Sequence, residues 1–442
     1  MRISDYIDNY EKLIIDTQKY IFENAETGYK EVKTSKYMED EFKKLGYSLT
    51  MAENIPGFYT VIDTNKPGPT VLILGELDSI LCPKHPNADP VTGAAHSCGH
   101  SAQCAALLGI AAALSNKDAL SGLCGKIKLC AVPAEELIEI EYRAKLKNDG
   151  IIKYMGGKSE FLYRGYFDDC DIAFMVHTTQ GDSFVVQNGS IGCLAKKIIY
   201  KGVSAHAGGS PWDGINALYA ANQGISACNA IRETFKEADV IRFHPIITQG
   251  GGAVNAIPDK VTVESYVRGS TFNGILEANK KINRALIGGA LSIGANVEII
   301  DLPGYAPLKN CLEMKDVAKK AADILNIPIK VTEAVGSGCT DMGDLSTLMP
   351  VIHPYACGAK GLSHGSDYFI DNPYSACVLS AKWQLEMLFI LLSEDGNRAK
   401  QIVANFEPMF KNKQEYFDYI DSFERQGDRI EYKDGIANII LN

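Results

Sequence analysis

Apolar positions at three- and four-residue spacing run through residues 4–25 and 31–45, with Tyr6, Tyr10, Leu13 and Ile14 on one stripe. The chain is therefore expected to open on two amphipathic helices. The rhythm then changes. Alternation from Tyr59 to about Asp63 and the apolar runs VLILGELD, KIKLCAVPAEE and DIAFMVH predict strands, with a helix over Ser101–Ser115 between them. Strands alternating with helices imply an α/β domain, a mixed sheet flanked by helices, whose functional side chains gather at strand ends.

Between about Cys193 and Asp301 the order is strand (KKIIYKGV), helix (213–235), strand (240–248), strand (260–270), helix (272–293) and strand (296–301). That β-α-β-β-α-β series predicts an inserted ferredoxin-like domain. The expected organisation is a first domain built from residues 1–192 and 303–442, interrupted by the insertion at 193–302. Residues 405–442 are rich in Tyr, Phe and charge, and no pattern assigns them a role.

With 442 residues, 46% of them hydrophobic and 22% charged, the chain is long enough for two cores. A net charge of -10 without a basic stripe argues against nucleic acid or an anionic membrane as partner. The opening MRISDYIDNYEKL lacks a signal-peptide core, and no apolar run of transmembrane length stands out, so a cytoplasmic protein is expected. The 12 cysteines contain no C-x-x-C pair, which predicts reduced, buried thiols rather than a disulfide framework.

Against that background a few groups stand out. In AAHSCGHSAQC, Cys98 and His100 flank a single glycine at a helix start, a soft and a borderline ligand suited to zinc or a similar metal; the bland alternative is a helix-entry turn. In AVPAEELIEI, Glu135 and Glu136 follow an apolar strand, where one carboxylate can hold a metal while the other takes a proton from water; the alternative is a solvated acidic loop. His177 closes DIAFMVH, where a lone histidine is more often a hydrogen-bonded core residue than a ligand, and His364 lies in the Gly/Ser turn GLSHGSDYF, which can point an imidazole into a cleft or be a surface loop. As a set, these five groups meet the needs of a two-metal hydrolytic centre. The inserted region adds His206 in KGVSAHAGGSP, Asn255 in QGGGAVNAIPD and Arg268 in YVRGS: a polarising donor, an amide and a carboxylate-binding fork, or simply turn and surface residues.

Taken in order from ENAETGYKE through GELDSI, HSCGH, VPAEE, FMVH, GVSAHAGGSP, GGGAVNAIPD and VRGS to GLSHGSDYF, the motifs resemble the metallo-aminoacylase and carboxypeptidase superfamily, in its amidohydrolase branch. DLPGYAPLKN and GCTDMGDLSTLMPVIHPY are most similar to its aminobenzoyl-glutamate hydrolase and basic-dipeptide dipeptidase group. The resemblance implies that Cys98 bridges two divalent transition metal ions, zinc or manganese, with cobalt or nickel as further candidates. His100 and His177 would complete one site, and Glu136 and His364 the other. It implies Glu135 as general base and Asp78 as the residue that orients a ligand imidazole. It further implies that the inserted domain is a lid and dimerisation domain, that His206 reaches the partner subunit's active site in a homodimer, and that Asn255 and Arg268 bind the substrate's carboxylate.

The expected activity is hydrolysis of the amide bond of an N-acyl amino acid, an aminobenzoyl-glutamate-like compound or a dipeptide. Two departures stand against the family pattern: Ser101 follows HSCGH where hippurate-type hydrolases carry Asp, and LIEIEYRAKLKNDGIIKYMGGKSE replaces the glycine-rich turn after PAEE. The second motivates an alternative, a non-catalytic metal- and carboxylate-binding protein on the same fold. A nucleotide-binding core is disfavoured, because no phosphate-binding glycine motif follows a strand.

Overall fold

In the computed structural model, which describes residues 2–441, the run TVLILGE is the strand Thr70–Glu76 and is buried at every position. An apolar strand without polar alternation belongs in the middle of a sheet covered on both faces. It lies there, in a six-stranded sheet ordered Thr50–Met51, Phe58–Asp63, Lys126–Val132, Thr70–Glu76, Ile172–Phe174, Val351–Ile352. The first pairings are antiparallel and the rest parallel, so the sheet is mixed.

The chain divides into two compact units: Met1–Gly189 with Leu308–Gly336 and Thr340–Lys413, and Ser190–Pro307 with Ser337–Cys339 and Gln414–Asn442. In the first, the helix His100–Leu114 is buried along its whole length and packs against the central strand and the helix Glu11–Glu23. The expected helix over residues 4–25 is split, with a 3-10 segment Ile3–Tyr10 preceding Glu11–Glu23. A transmembrane-length apolar stretch, not singled out by reading the sequence, does occur: the helical span Tyr374–Leu392. It is 78% buried within the protein, and its Trp383 indole donates to the carbonyl of Ala318 at 2.8 Å.

DIAFMVH does not form one strand. Ile172–Phe174 stays in the six-stranded sheet, and His177–Thr179 belongs to a second sheet, paired in parallel with Tyr355–Cys357. Its former partner Val351–Ile352 makes the same transfer across Pro354, which has no N–H to continue a ladder and whose carbonyl instead accepts the His177 N–H at 2.9 Å. His177 thus opens a strand where it was expected to close one.

The second unit follows the β-α-β-β-α-β order. Gly192–Lys201 pairs antiparallel with Lys260–Gly269 on one side and Asn296–Tyr305 on the other, and the helices Ala217–Ala230 and Phe272–Leu291 pack on this sheet. The strand expected over 240–248 is broken into Arg242–Phe243 and Ile246–Gln249, with Pro245 between them.

The C-terminal residues correct the expected organisation: 414–442 group with the second unit, not the first. Arg425–Asp428 pairs with Glu298–Asp301, covering a sheet edge that would otherwise be open. The aromatic composition of this stretch has a use as well. Tyr419 and Phe423 pack around the ring of Phe272, with centroids 5.2 and 5.7 Å away.

Candidate metal centre

Several strand ends and one helix start in the first unit converge. The central strand delivers Glu76 and, just beyond it, Asp78; Lys126–Val132 delivers Glu135 and Glu136; Cys98 and His100 enter the buried helix. Gly99 sits between the last two with φ 101°, and a Cβ there would lie 2.1 Å from Thr178 Oγ1 and 2.4 Å from Tyr368 Oη. Glycine is therefore required for Cys98 and His100 to face the same point. His364 adopts φ 65°, a strained conformation for a non-glycine residue, and its N–H donates to the carbonyl of Ser97 at 2.7 Å. That bond ties the His364 turn to the loop carrying Cys98.

The side chains form two donor groups that share one sulfur. Cys98, His100 and His177 each offer a ligand atom within 4.8 Å of the others, and so do Cys98, Glu136 and His364. A third group, Glu76, His100 and Glu135, adjoins them. Sγ of Cys98 is 3.4 Å from Nε2 of His177, and Nε2 of His364 is 3.2 Å from Oε1 of Glu136. Backbone carbonyls fix the ring orientations: Nδ1 of His177 bonds to the Thr178 carbonyl at 2.9 Å, and Nδ1 of His100 to that of Asp78 at 3.0 Å. A carboxylate oxygen of Asp78 also lies 3.2 Å from His100 Nδ1. In both residues Nε2 is the nitrogen left to face the cluster, the arrangement a metal-ligating histidine needs.

The electrostatics divide the two adjacent acids. Burial, reinforced by Glu76 and Glu136, raises the Glu135 carboxyl well above the ordinary carboxylate range. Burial opposes the charge on Glu136 too, but His364 outweighs it and brings that carboxyl down to about 2. One acid is thus suited to exchange a proton and its neighbour to remain an anion, a separation of roles set by surroundings alone. Burial and the nearby Glu136 push the Cys98 thiol well above its usual value, while burial and His100 lower His177, which stays neutral. Burial opposes the charge on His100, but Glu76 and Cys98 outweigh it and raise that imidazole well above its usual value. A thiol, three imidazoles and a fixed carboxylate around one point fit a pair of transition-metal ions, with proton release from the thiol and from His100 coupled to arrival of the cation.

Reading the sequence missed two members of this neighbourhood. Glu76 is fully buried with Oε2 3.2 Å from His100 Nε2, and its other oxygen accepts from the ammonium of Lys158, which also contacts Asp341. A carboxylate ending an all-apolar strand was a usable signal for Glu76. Nothing in GGKSE marked Lys158. His353 is buried with its ring centroid 5.8 Å from that of His177.

His206, Asn255 and Arg268 belong to the second unit. Nδ1 of the exposed His206 accepts the N–H groups of Gly208 and Gly209 at 3.1 and 2.8 Å, so the neutral ring carries its proton on Nε2. The Ala207 N–H donates to the Asn255 carbonyl at 2.9 Å, which joins those two loops. The Arg268 guanidinium lies over the ring of Tyr266, 5.1 Å from its centroid.

A Xaa-Arg dipeptidase of Mus musculus is 30% identical over 293 residues, covering 63% of this chain, which spans 62% of that relative's length. One p-aminobenzoyl-glutamate hydrolase subunit from Escherichia coli (strain K12) is 25% identical over 331 residues, 62% of this chain and 70% of the relative. In fold, the chain is similar to a dinuclear metal-binding peptidase of the M20 family from Bacillus subtilis, with a TM-score of 0.65 and 19% identity over 87% of this chain and 99% of the other. The family model for peptidases M20/M25/M40 matches residues 74–388, a span that contains every residue of the three donor groups. On that match the chain belongs to peptidase family M20/M25/M40.

Proposed function

We propose that the protein is a metal-dependent amidohydrolase that cleaves the amide bond of a small substrate bearing a carboxylate: a dipeptide, an N-acyl amino acid or an aminobenzoyl-glutamate-like compound. The observation that carries this reading is the pair of donor groups sharing Cys98, set beside a buried Glu135 whose carboxyl is raised. The dipeptidase and hydrolase relatives support the reaction class.

Cys98, His100, His177, Glu136 and His364 would hold two divalent ions, zinc or manganese. When bound, such ions acidify water and polarise the amide carbonyl. Glu135, which keeps a proton more readily than an ordinary carboxylate, takes one from the attacking water and returns it to the leaving nitrogen. Asp78 holds the His100 ring from behind. His206, reaching across the proposed dimer, is the donor assigned to the developing oxyanion, and Asn255 and Arg268 are assigned to the substrate carboxylate.

A homodimer through the second unit is part of the proposal. The strand Ile246–Gln249 is exposed at all its positions, and Tyr219 on the helix Ala217–Ala230 is 62% exposed, a surface suited to a second copy.

The test is the metal-loaded protein and its Glu135→Gln variant assayed on N-acyl amino acids, aminobenzoyl-glutamate and dipeptides with a basic C-terminal residue. Loss of a general base predicts a fall in kcat of about 10²–10⁴-fold with metal content retained. Wild-type turnover in the variant refutes the base assignment. Carboxylate binding without turnover by the wild type favours the non-catalytic alternative.

A further inference from the structure

The residues that follow Glu136 fold into the helix Ile140–Asn148, and its Arg143 points inward with no exposed surface. The guanidinium donates from Nη1 to the carbonyls of Ala134 at 3.2 Å and Met155 at 2.7 Å, and from Nη2 to the carbonyl of Glu136. The same stretch of backbone is held through its N–H groups. Glu31, also without exposed surface, accepts from the Ala134 N–H at 2.7 Å, and Asp78 from the Glu136 N–H at 2.8 Å. The residues on either side of Glu135 thus have both their N–H and their carbonyl held by buried ionisable side chains.

Two details show that this clamp is specific. Ala134 sits at φ 58°, a conformation that persists in a non-glycine residue only when the surroundings enforce it. Gly28 leaves room for the guanidinium, since a Cβ there would lie 2.2 Å from Arg143 Nη2 and 2.9 Å from Ala134 Cα. The helix carrying Arg143 is itself moored to the 27–31 turn. Glu139 accepts from Thr27 and Lys30, both at 2.6 Å, Lys30 lies 4.3 Å from the Tyr142 ring centroid, and Leu146 and Ile152 share a small core with Tyr29 and Ala134.

We propose that Arg143 is a positioning residue for the Glu135–Glu136 pair, and that the charged segment after PAEE serves this reaction by supplying it. The inference rests on the amidohydrolase reading. An apolar side chain would fill the same volume without the several kcal/mol that desolvating a guanidinium costs. The Ala134 and Glu136 carbonyls also accept from the N–H groups of Gly157 at 3.3 Å and Ile138 at 2.8 Å, and what the guanidinium adds is a rigid planar fork that ties these two carbonyls to each other and to that of Met155. Fixing the carbonyls that flank Glu135 fixes the direction of its carboxylate, and displacements of about 1 Å at a reacting group cost up to roughly 10²-fold in rate.

The experiment compares wild type, Arg143→Met, Arg143→Lys and Gly28→Ala as full-length, metal-saturated proteins, with kcat expressed per metal-filled site. The expected result for Arg143→Met is a 10- to 100-fold fall in kcat with KM within threefold, on the misplacement estimate above. Arg143→Lys should recover part of the loss, because an ammonium reaches some of the carbonyls without matching the fork. Gly28→Ala, which displaces the guanidinium while leaving it in the chain, should lower kcat in the same sense.

An unchanged kcat per filled site in a folded Arg143→Met variant overturns the proposal, as does a loss confined to the number of filled sites. If Arg143→Met does not fold, Arg143→Lys and Gly28→Ala decide by the same measure. A wild type that hydrolyses none of the substrate classes is a different outcome: it refutes the amidohydrolase reading itself and the positioning role with it.

Discussion

Replacing Lys158 by methionine removes the cation lodged between Glu76 and Asp341 while keeping most of the side-chain volume. The side chains of the three residues are 0%, 1% and 0% exposed, so solvent does not screen the interaction. The Lys158 N–H also donates to Asp341 at 2.8 Å, which holds that carboxylate in place when the ammonium is gone. Breaking a buried ion group from one side costs about 3–5 kcal/mol, because the opposite charges stay buried and uncompensated. In a unit of roughly 290 residues, at about 2.1 cal/mol/K of unfolding entropy per residue, that loss lowers Tm by about 5–8 K.

A chain of two units need not unfold in one step, so the probe must report on the first unit alone. Trp383 is fully buried there, whereas Trp212, the other of the 2 tryptophans, is in the second unit and 77% exposed. Urea and thermal titrations of chelator-treated protein, followed by Trp383 fluorescence in a Trp212→Phe background, therefore isolate the effect from metal linkage. Adding Asp341→Asn to Lys158→Met should restore part of the stability, since it removes one of the two carboxylates left without the ammonium while Glu76 keeps His100 at 3.2 Å. A loss below about 1 kcal/mol in Lys158→Met, against the 3–5 expected for a buried pair, refutes the reasoning.

The same cluster predicts a pH dependence of opposite character. Burial, with Glu76 adding to it and Lys158 opposing, pushes the Asp341 carboxyl up from 3.8 to about 6, so the folded chain binds that proton more tightly than the unfolded chain does. Its contribution is fully present below about pH 4 and is lost as pH rises through 6. Metal-free Asp341→Asn should therefore gain on wild type between pH 4 and 7.5 in the Trp383 transition, and a constant difference across that range refutes the assignment. Removing metal should lower the Tm of the first unit, by about 2.7 kcal/mol of stability when free metal had stood at 100 times its dissociation constant. Because both donor groups share Cys98, Cys98→Ala should weaken both sites together in a metal titration; loss of one site with the other unchanged argues against the shared sulfur.

Periodicity was sufficient for most elements in which one face or both faces are buried. The continuous run TVLILGE and the apolar helix His100–Leu114 could form only interior elements, and they do. Periodicity failed where a proline intervened. Pro245 divides one expected strand, and the chain around Pro354 changes sheets in step with the break in DIAFMVH. It also gave no partner for residues 414–442, because a strand shows in its own sequence that it wants a sheet edge but not which edge is open.

For the site, the sequence determined which residue types were at hand: a cysteine and histidine around a glycine, two adjacent glutamates after an apolar strand, and two further histidines. Their local chemistry limits them to a small set of reactions, and the order of their motifs carries the family resemblance. Only the tertiary structure decided that Cys98 faces both donor groups, that Glu135 and Glu136 differ in proton affinity, and that Glu76, Lys158 and Arg143 lie among them. The physical reason is that these properties depend on distance and burial between residues far apart in sequence. Glu136 and His364 are 3.2 Å apart in space, and no local pattern along the chain records that separation.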